Sequence, residues 1–451
     1  MDLKNKKMLV LGSGISGIGA AKLLDTVGAI VSIYDGNKDV DIATLIEKLG
    51  FKPEIFLGQL KEEILKNQDL VVISPGIPMD IAEVKMIQEE GLPIWGEVEL
   101  AYQIGKGDVF AITGTNGKTT TTALLGKIMS DYYEEVYIVG NIGTPYTSVA
   151  DKMTENAKVV AEISSFQLET MVDFKPKASA ILNITPDHLN RHHTMEEYIR
   201  VKESIIKNQD EKSLCVLNYE DEVLRQFGEK LEIPTVFFSS KRPVNKGYYV
   251  EDGKIIDDSQ GAKEVLVCLK DLKVLGDHNY ENVMAAVALA KAAGVSKESI
   301  HKSICAFTAV EHRIEFVKEV EGVAYYNDSK GTNPDAAIKG IGAMNRPTYL
   351  IGGGYDKDSD YTEWILSFQG KVKELVLIGQ TKDKIARCAK ENGFFDIVLL
   401  DTLEEAVFYC AKKAKKGEAV LLSPACASWG QFKNYEERGN RFKDYVNQLS
   451  K

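Results

Sequence analysis

Ala111-Ile-Thr-Gly-Thr-Asn-Gly-Lys-Thr-Thr-Thr-Thr122 is the stretch from which the fold is read. The run Asp108–Thr113 before and within it is apolar and of strand length, while residues 119–130 carry Ala123, Leu124, Leu125, Ile128 and Met129 at helical spacing. A glycine turn between a strand and a helix N-terminus presents backbone N–H groups and the positive end of a dipole to an anion. Gly114, Thr115, Asn116 and Gly117 form that turn, Lys118 adds a cation for the β- and γ-phosphates, and the Thr119 hydroxyl suits Mg²⁺. The full phosphate-loop pattern wants a further glycine where Ile112 stands, so an ordinary glycine turn is the alternative. Thr119, Thr120, Thr121 and Thr122 are poor helix propagators and need another reason to open a helix.

The chain has 451 residues, which predicts about three domains. A net charge of −11 argues against general nucleic-acid or membrane-surface binding, so a polyanionic substrate must be met by local cations, helix N-termini and metal. The cysteines at 215, 268, 305, 388, 410 and 426 form no C-x-x-C pair and read as reduced thiols of a cytoplasmic protein. No uncharged apolar run approaches the ~18 residues of a membrane span, and the short apolar run at 8–11 is a strand entering a turn.

Strand and helix signals alternate throughout. In residues 1–98 the strand at 8–11 runs into Gly12-Ser-Gly14-Ile15-Ser16-Gly17, a G-x-G-x-x-G turn, and a second strand ends at Asp35. By itself this is a dinucleotide fingerprint and invites a nicotinamide-dependent dehydrogenase, although the pattern specifies only a diphosphate on a helix N-terminus. Ser74-Pro75-Gly76 supplies a second turn at the same sheet edge. Residues 99–309 surround the phosphate loop, with a hairpin expected at Asp252-Gly253, and residues 310–451 form a third doubly wound unit without a phosphate loop.

Ligands collect at the carboxyl ends of parallel strands, and those ends bring Glu162 and His188 toward the loop as neighbours. With Thr119 they make a candidate Mg²⁺ site; a cap and a turn histidine are the bland readings. Lys202 reads by itself as a solvated helix lysine. Asn279 and Asn282 share a helix face and could read a base edge or serve as an ordinary polar first turn. His312-Arg313 opens the third unit, where Asp328 and Lys330 suit a ribose hydroxyl and a γ-phosphate, or a surface ion pair. Cys426 reads as a buried small thiol, and Ser428, near the N-terminus of a helix expected from about Gln431, suits a carboxylate.

TGTNGKTT (113–120), GNIG (140–143), EISSFQLE (162–169), NITPDHLNRH (183–192), GDHNYENVMAA (276–286), HRIE (312–315), NDSKGTN (327–333) and SPACASWGQFKNYEERG (423–439), in this order, resemble the Mur ligases of peptidoglycan synthesis. EISSFQLE and SPACASWGQFKNYEERG resemble the glutamate-adding branch. The resemblance implies an α/β protein of three domains: a Rossmann-like UDP-sugar-binding domain at 1–98, a central phosphate-loop ATPase-type domain at 99–309, and a Rossmann-like amino-acid-binding domain at 310–451. It implies ATP between the last two, two Mg²⁺ sites, and an acyl-phosphate route from UDP-N-acetylmuramoyl-L-alanine and D-glutamate in a monomer. The first-domain turns become UDP contacts through Gly12, Gly14, Ile15, Ser16, Gly17, Asp35, Ser74, Pro75 and Gly76, joined by Asn141 and His188. Lys118, Lys202, His188, Glu162 and Lys330 become the catalytic set. Asn279, Asn282, Arg313, Asp328 and Lys330 join the loop in holding ATP. Lys202 matches a carbamylated lysine that ligates metal with Thr119, Glu162 and His188, while Thr332, Lys357, Ser428 and Tyr435 match positions that receive D-glutamate. Asn190 and Tyr435 depart from the aspartate and phenylalanine common there. A folylpolyglutamate synthase-like ligase shares the phosphate loop but needs a pterin pocket in place of the diphosphate turn at 12–17.

Overall fold

The computed structural model describes residues 3–141, 144–308 and 310–449; Ile142 and Gly143 of the GNIG motif, and the expected domain edge at 309, lie outside the described residues. The structure is α/β with three sheets. The first contains β1 (Lys7–Leu11), β2 (Ile30–Asp35), β3 (Glu54–Leu57), β4 (Leu70–Ile73) and β5 (Ile94–Gly96), all parallel, in the order β3-β2-β1-β4-β5. The second contains β6 (Asp108–Thr113), β7 (Val136–Gly140), β8 (Lys158–Glu162), β9 (Ala178–Ile181), β10 (Leu214–Asn218), β11 (Thr235–Ser239), β12 (Tyr248–Glu251), β13 (Lys254–Asp257) and β14 (Glu264–Cys268). Their order is β14-β13-β12-β11-β10-β9-β6-β8-β7. The third contains β15 (Glu315–Val320), β16 (Val323–Asn327), β17 (Thr348–Gly352), β18 (Val372–Leu377), β19 (Ile397–Leu399) and β20 (Ala419–Leu422), in the order β15-β16-β20-β17-β18-β19. Continuous apolar runs such as Leu70–Ile73 and Ala419–Leu422 are buried on both faces, as central parallel strands must be.

Contacts divide the chain into two compact units. Unit 1 comprises Met1–Leu266 and Glu281–Ile304, and unit 2 comprises Val267–Tyr280 and Cys305–Lys451. In unit 1 a single apolar cluster runs from Met8, Val72 and Leu100 through Tyr146 to Ala111 and Val159, so the first two sheets share a core. In unit 2 the third sheet has apolar layers on both faces: Leu350, Leu375 and Trp364 on one, Ile351, Val376 and Phe442 on the other, as alternation along a strand requires.

The expected hairpin is present: β12 and β13 are antiparallel, joined by Asp252 and Gly253, both at positive φ. The final helix differs. It spans Tyr435–Gln448, because the Asn434 side chain accepts from the Glu437 amide and sets the start there rather than at Gln431. Among the described residues no helix is long and apolar enough to cross a membrane.

Unit 1 is pinned by a buried carboxylate. Glu99, on the helix Glu97–Ile104, is fully buried and accepts from the backbone amides of Val172 (3.0 Å), Asp173 (3.0 Å) and Phe174 (3.1 Å) and from Gln103 Nε2 (2.8 Å). A buried carboxyl group is tolerable when its acceptor oxygens are filled in this way, and here it fixes the segment that feeds β9. Glu99→Ala is expected to lower stability by about 2–4 kcal/mol by orphaning those donors, read as a shifted denaturation midpoint with unchanged slope.

Candidate active site

Central to the site is the turn after β6. Asn183, just beyond β9, accepts the Thr115 amide on its carbonyl (2.9 Å) and the Asn116 amide on Oδ1 (2.8 Å), and returns Nδ2 to the Asn116 carbonyl (3.0 Å). Gly117 sits at φ +89, where a Cβ would also overlap the Asn282 amide, so glycine is required twice over. The helix Lys118–Ser130 starts immediately afterwards. Thr120, Thr121 and Thr122 are buried inside it, and Thr121 donates to Asn282 Oδ1 (3.2 Å). The threonine run is thus partly a packing device and not wholly a ligand device. Lys118 Nζ donates to the carbonyls of Gly114 (2.8 Å) and Thr115 (2.9 Å).

Lys202 is not solvated. On the helix Met195–Glu203 it shares the inward face with Tyr198 and Val201 and is 1% exposed. Its Nζ donates to the Gly114 carbonyl (2.9 Å) and lies 4.8 Å from the centre of the Tyr198 ring. Burial, reinforced by the Lys118 charge, pushes its pKa down to about 7. An amine in that range is substantially neutral at neutral pH.

Glu162 ends β8 and is 1% exposed. Oε1 accepts from Asn141 Nδ2 (3.0 Å), whereas Oε2 is buried without a hydrogen-bond partner. Such an oxygen fits a hard cation. Among the described residues no group of three or more His, Cys, Asp or Glu could hold a metal ion by itself, and a sparse protein donor set of this kind suits Mg²⁺, which keeps waters and substrate oxygens in its shell. Glu162 and His188 are not at neighbouring strands: β6 lies between β8 and β9, and the two flank the loop from opposite sides. The His188 ring nonetheless packs on Phe166, just beyond Glu162, at 4.9 Å between centroids.

A second cradle lies at the first sheet, where strand order reverses between β1 and β4. A crevice of about 570 Å³ is lined there by residues 11–16, 34–36 and 74–78, including Gly12, Gly14, Ile15, Ser16, Asp35, Ser74, Pro75 and Gly76. Gly17 starts the packing beneath it: a Cβ there would overlap the Gly12 carbonyl. Asp35 braces the turn by accepting the Ser13 amide (2.9 Å), the Ser13 hydroxyl (2.5 Å) and the Asn37 amide (2.9 Å). Ser74 Oγ is buried without a partner against the glycines.

In unit 2 the turns after β16 and β20 adjoin. Asp328 is buried, accepts from Ser423 Oγ (2.7 Å) and donates its amide to Leu422 (2.7 Å), which removes the reading of a surface ion pair. Burial outweighs that hydrogen bond and the Arg313 charge and raises its pKa to about 7. Arg313 Nε is buried without a hydrogen-bond partner. Lys330 lies 5.5 Å over the Tyr435 ring and Lys357 lies 4.6 Å over Trp429, next to Ser428; Thr332 donates its amide to the Lys330 carbonyl (2.8 Å). Ser428 is buried and stands well before the helix that begins at Tyr435, so no helix dipole favours a carboxylate at its hydroxyl. Cys426 is buried between the Tyr361 (3.1 Å) and Thr381 (3.3 Å) hydroxyls. On the helix Asp277–Ala292, Asn279 donates to the Leu275 carbonyl (2.7 Å), while Asn282 meets Thr121.

Sequence reasoning missed Asn183 and Arg438. Arg438 is 1% exposed and donates to Ser329 Oγ (2.9 Å) and to the carbonyls of Ser329 (2.8 Å) and Cys426 (3.1 Å), joining the two turns of unit 2. Asn183 opens a polar run at a strand end and was legible as such; Arg438, in a highly charged helix, carried no signal.

Three sheets, each with polar turns at strand carboxyl ends and one with a phosphate turn, define a multidomain α/β nucleotide-dependent enzyme. Residues 6–96 match the Mur ligase MurD-like N-terminal domain, residues 112–290 the Mur ligase middle domain, and residues 312–426 the Mur ligase glutamate ligase domain. The chain is 54% identical to the UDP-N-acetylmuramoylalanine–D-glutamate ligase of Lachnospira eligens and 44% identical to that of Clostridioides difficile, covering all of this chain and all of each relative. Among solved structures it resembles the UDP-N-acetylmuramate–alanine ligase of Thermotoga maritima (TM-score 0.57, 20% identity, 98% of this chain and 99% of that one). It also resembles the MurF ligase of the same organism in complex with ADP (TM-score 0.57, 18% identity, 100% and 97%). The chain belongs to the Mur ligase family. With residues 6–96 matched to a MurD-like domain, the nicotinamide alternative falls.

The raised pKa of Asp328 has a testable sign. Between pH about 4 and 7 the folded protein holds a proton that the unfolded chain has released, so this group's stabilising contribution falls as pH rises through that window and is flat above it. Relative to Asp328→Asn, which lacks the proton, the wild type is expected to lose on the order of 1 kcal/mol per pH unit there, read from denaturation curves across the window.

Proposed function

We propose that this chain joins D-glutamate to UDP-N-acetylmuramoyl-L-alanine at the expense of ATP, as a cytoplasmic monomer in peptidoglycan synthesis. The observation that carries the reading is the pair of separate anion cradles in unit 1: the glycine crevice between β1 and β4, and the phosphate turn after β6 with Lys118, Lys202 and Glu162 around it. Relatives named for this activity match the whole chain. The division at 98/99 and 309/310 belongs to the same proposal, supported by three sheets that share no strand.

The crevice holds the UDP of one substrate, with Asn141 and His188 toward its muramyl end. The phosphate turn, Lys118 and Thr119 hold the phosphates of ATP, with Asn279, Asn282, Arg313, Asp328 and Lys330 as its further contacts. Thr332, Lys357, Ser428 and Tyr435 receive D-glutamate. A carboxylate is a poor electrophile, so the alanine carboxylate first attacks the γ-phosphorus and ADP leaves. The D-glutamate amine then attacks the acyl carbon, loses a proton, and inorganic phosphate departs. Anions approach one another in the first step, and neutralising and aligning them is the main catalytic task. Mg²⁺ at two sites, held by Thr119, Glu162, His188 and Lys202 as its carbamate, would supply charge neutralisation there. Carbamylation needs a neutral amine, which the burial of Lys202 provides.

Phosphate release is expected with ATP, UDP-N-acetylmuramoyl-L-alanine and D-glutamate together and not with other amino acids; release that ignores the UDP-sugar would refute the assignment. Lys118→Ala is expected to cut kcat by about 10³-fold or more while the Kd for the UDP-substrate stays within about threefold. Lys202→Ala should be inactive and partly restored by a short-chain carboxylic acid, and full activity without rescue would exclude the carbamate.

A further inference from the structure

We propose that Arg191 is a positioning residue that sets where the UDP-substrate's reactive end falls, by clamping the wall of the first crevice to the turn that carries His188; this rests on the function proposed above. Arg191 lies in the short helix Leu189–His192 that follows His188, with its side chain 10% exposed. Its Nη2 donates to the Ile77 carbonyl (2.8 Å) and approaches that of Pro75 (3.4 Å), while Nη1 reaches that of Gly76 (3.5 Å). Those three residues line the crevice, next to Ser74.

The guanidinium is itself held. Glu169, the last residue of EISSFQLE, takes Nη2 (2.6 Å) and Nε (3.2 and 3.3 Å), and the Phe166 ring lies 4.9 Å beneath the guanidinium carbon. Glu169 Oε1 also stands 3.3 Å from His192 Nδ1, and His192 Nε2 bonds Ser165 Oγ (3.0 Å). One network therefore connects the crevice wall on the first sheet, the segment after β8 that follows Glu162, and the turn after β9 that bears His188.

A planar fork with five donors can serve a carboxylate and a row of carbonyls at once, which a lysine cannot. The chemistry gives this bracing a purpose. The substrate is anchored by its diphosphate at one end and reacts at a carboxylate on the other, so a small displacement of the wall moves the carboxylate out of line with the γ-phosphate. No catalytic contact is needed for Arg191 to control this.

The test compares Arg191→Ala, Arg191→Lys and Glu169→Gln with the wild type in the full chain. It uses kcat, KM for each of the three substrates and calorimetric binding of UDP alone. Arg191→Ala is expected to lower kcat about tenfold or more and to raise KM for UDP-N-acetylmuramoyl-L-alanine and Kd for UDP severalfold, with KM for ATP and D-glutamate within about twofold. Arg191→Lys should recover part of the loss, and Glu169→Gln should show a smaller change of the same selectivity. An equal rise in all three KM values, or no rise for the UDP-substrate, overturns the proposal. If Arg191→Ala does not fold, an unchanged UDP-substrate KM in Glu169→Gln does so. Wild-type protein that neither binds UDP nor releases phosphate defeats the functional reading instead, so the two failures are distinct.

Discussion

The carbonyl oxygen of Gly114 accepts two ammonium groups, Lys118 Nζ at 2.8 Å and Lys202 Nζ at 2.9 Å, and the electrostatics of the phosphate turn depend on that shared acceptor. Two cations drawn to one oxygen repel each other, and the helix N-terminus beside them adds further positive potential. Burial, with the neighbouring Lys118 charge added to it, holds the pKa of Lys202 down to about 7.

The same construction recurs at each sheet. The ends of β1 and β4, of β6 with its neighbours β8 and β9, and of β16 and β20 all present polar turns at one strand edge. The residues that fill them differ according to the task. Glycines and an unpartnered serine hydroxyl at the first suit a diphosphate; glycines, lysines and a carboxylate at the second suit a triphosphate and a cation. At the third, buried Asp328 and Arg438 stitch the turns together, leaving Lys330 and Lys357 over aromatic faces. Position at the sheet edge comes from parallel topology, and chemistry comes from the local residues.

Much of this was legible in the sequence because its signals are local. Glycine spacing at 12–17 and 114–117, the alternation of strand and helix patterns, and Asp252-Gly253 all work within a few residues. What escaped depends on distant partners. Lys202 looks solvated until Tyr198 and the Gly114 carbonyl are placed over it, and Asp328 looks like a surface acid until β20 brings Ser423. The flanking of the phosphate turn by β8 on one side and β9 on the other is a matter of strand order, which periodicity does not encode. The last helix is the exception, because its start at Asn434 is set by a bond to the Glu437 amide only three residues on, a local signal that Asn434 and Glu437 carry in the sequence.

The tight Asp252-Gly253 connection between β12 and β13 has a practical meaning of its own. Both residues are exposed, a side chain added at Gly253 would meet nothing, and in the strand order the hairpin stands several strands away from β6. Exposed tips of this kind accept extra chain with little thermodynamic penalty. A fluorescent reporter or affinity handle grafted there would report on the protein while leaving the nucleotide machinery untouched.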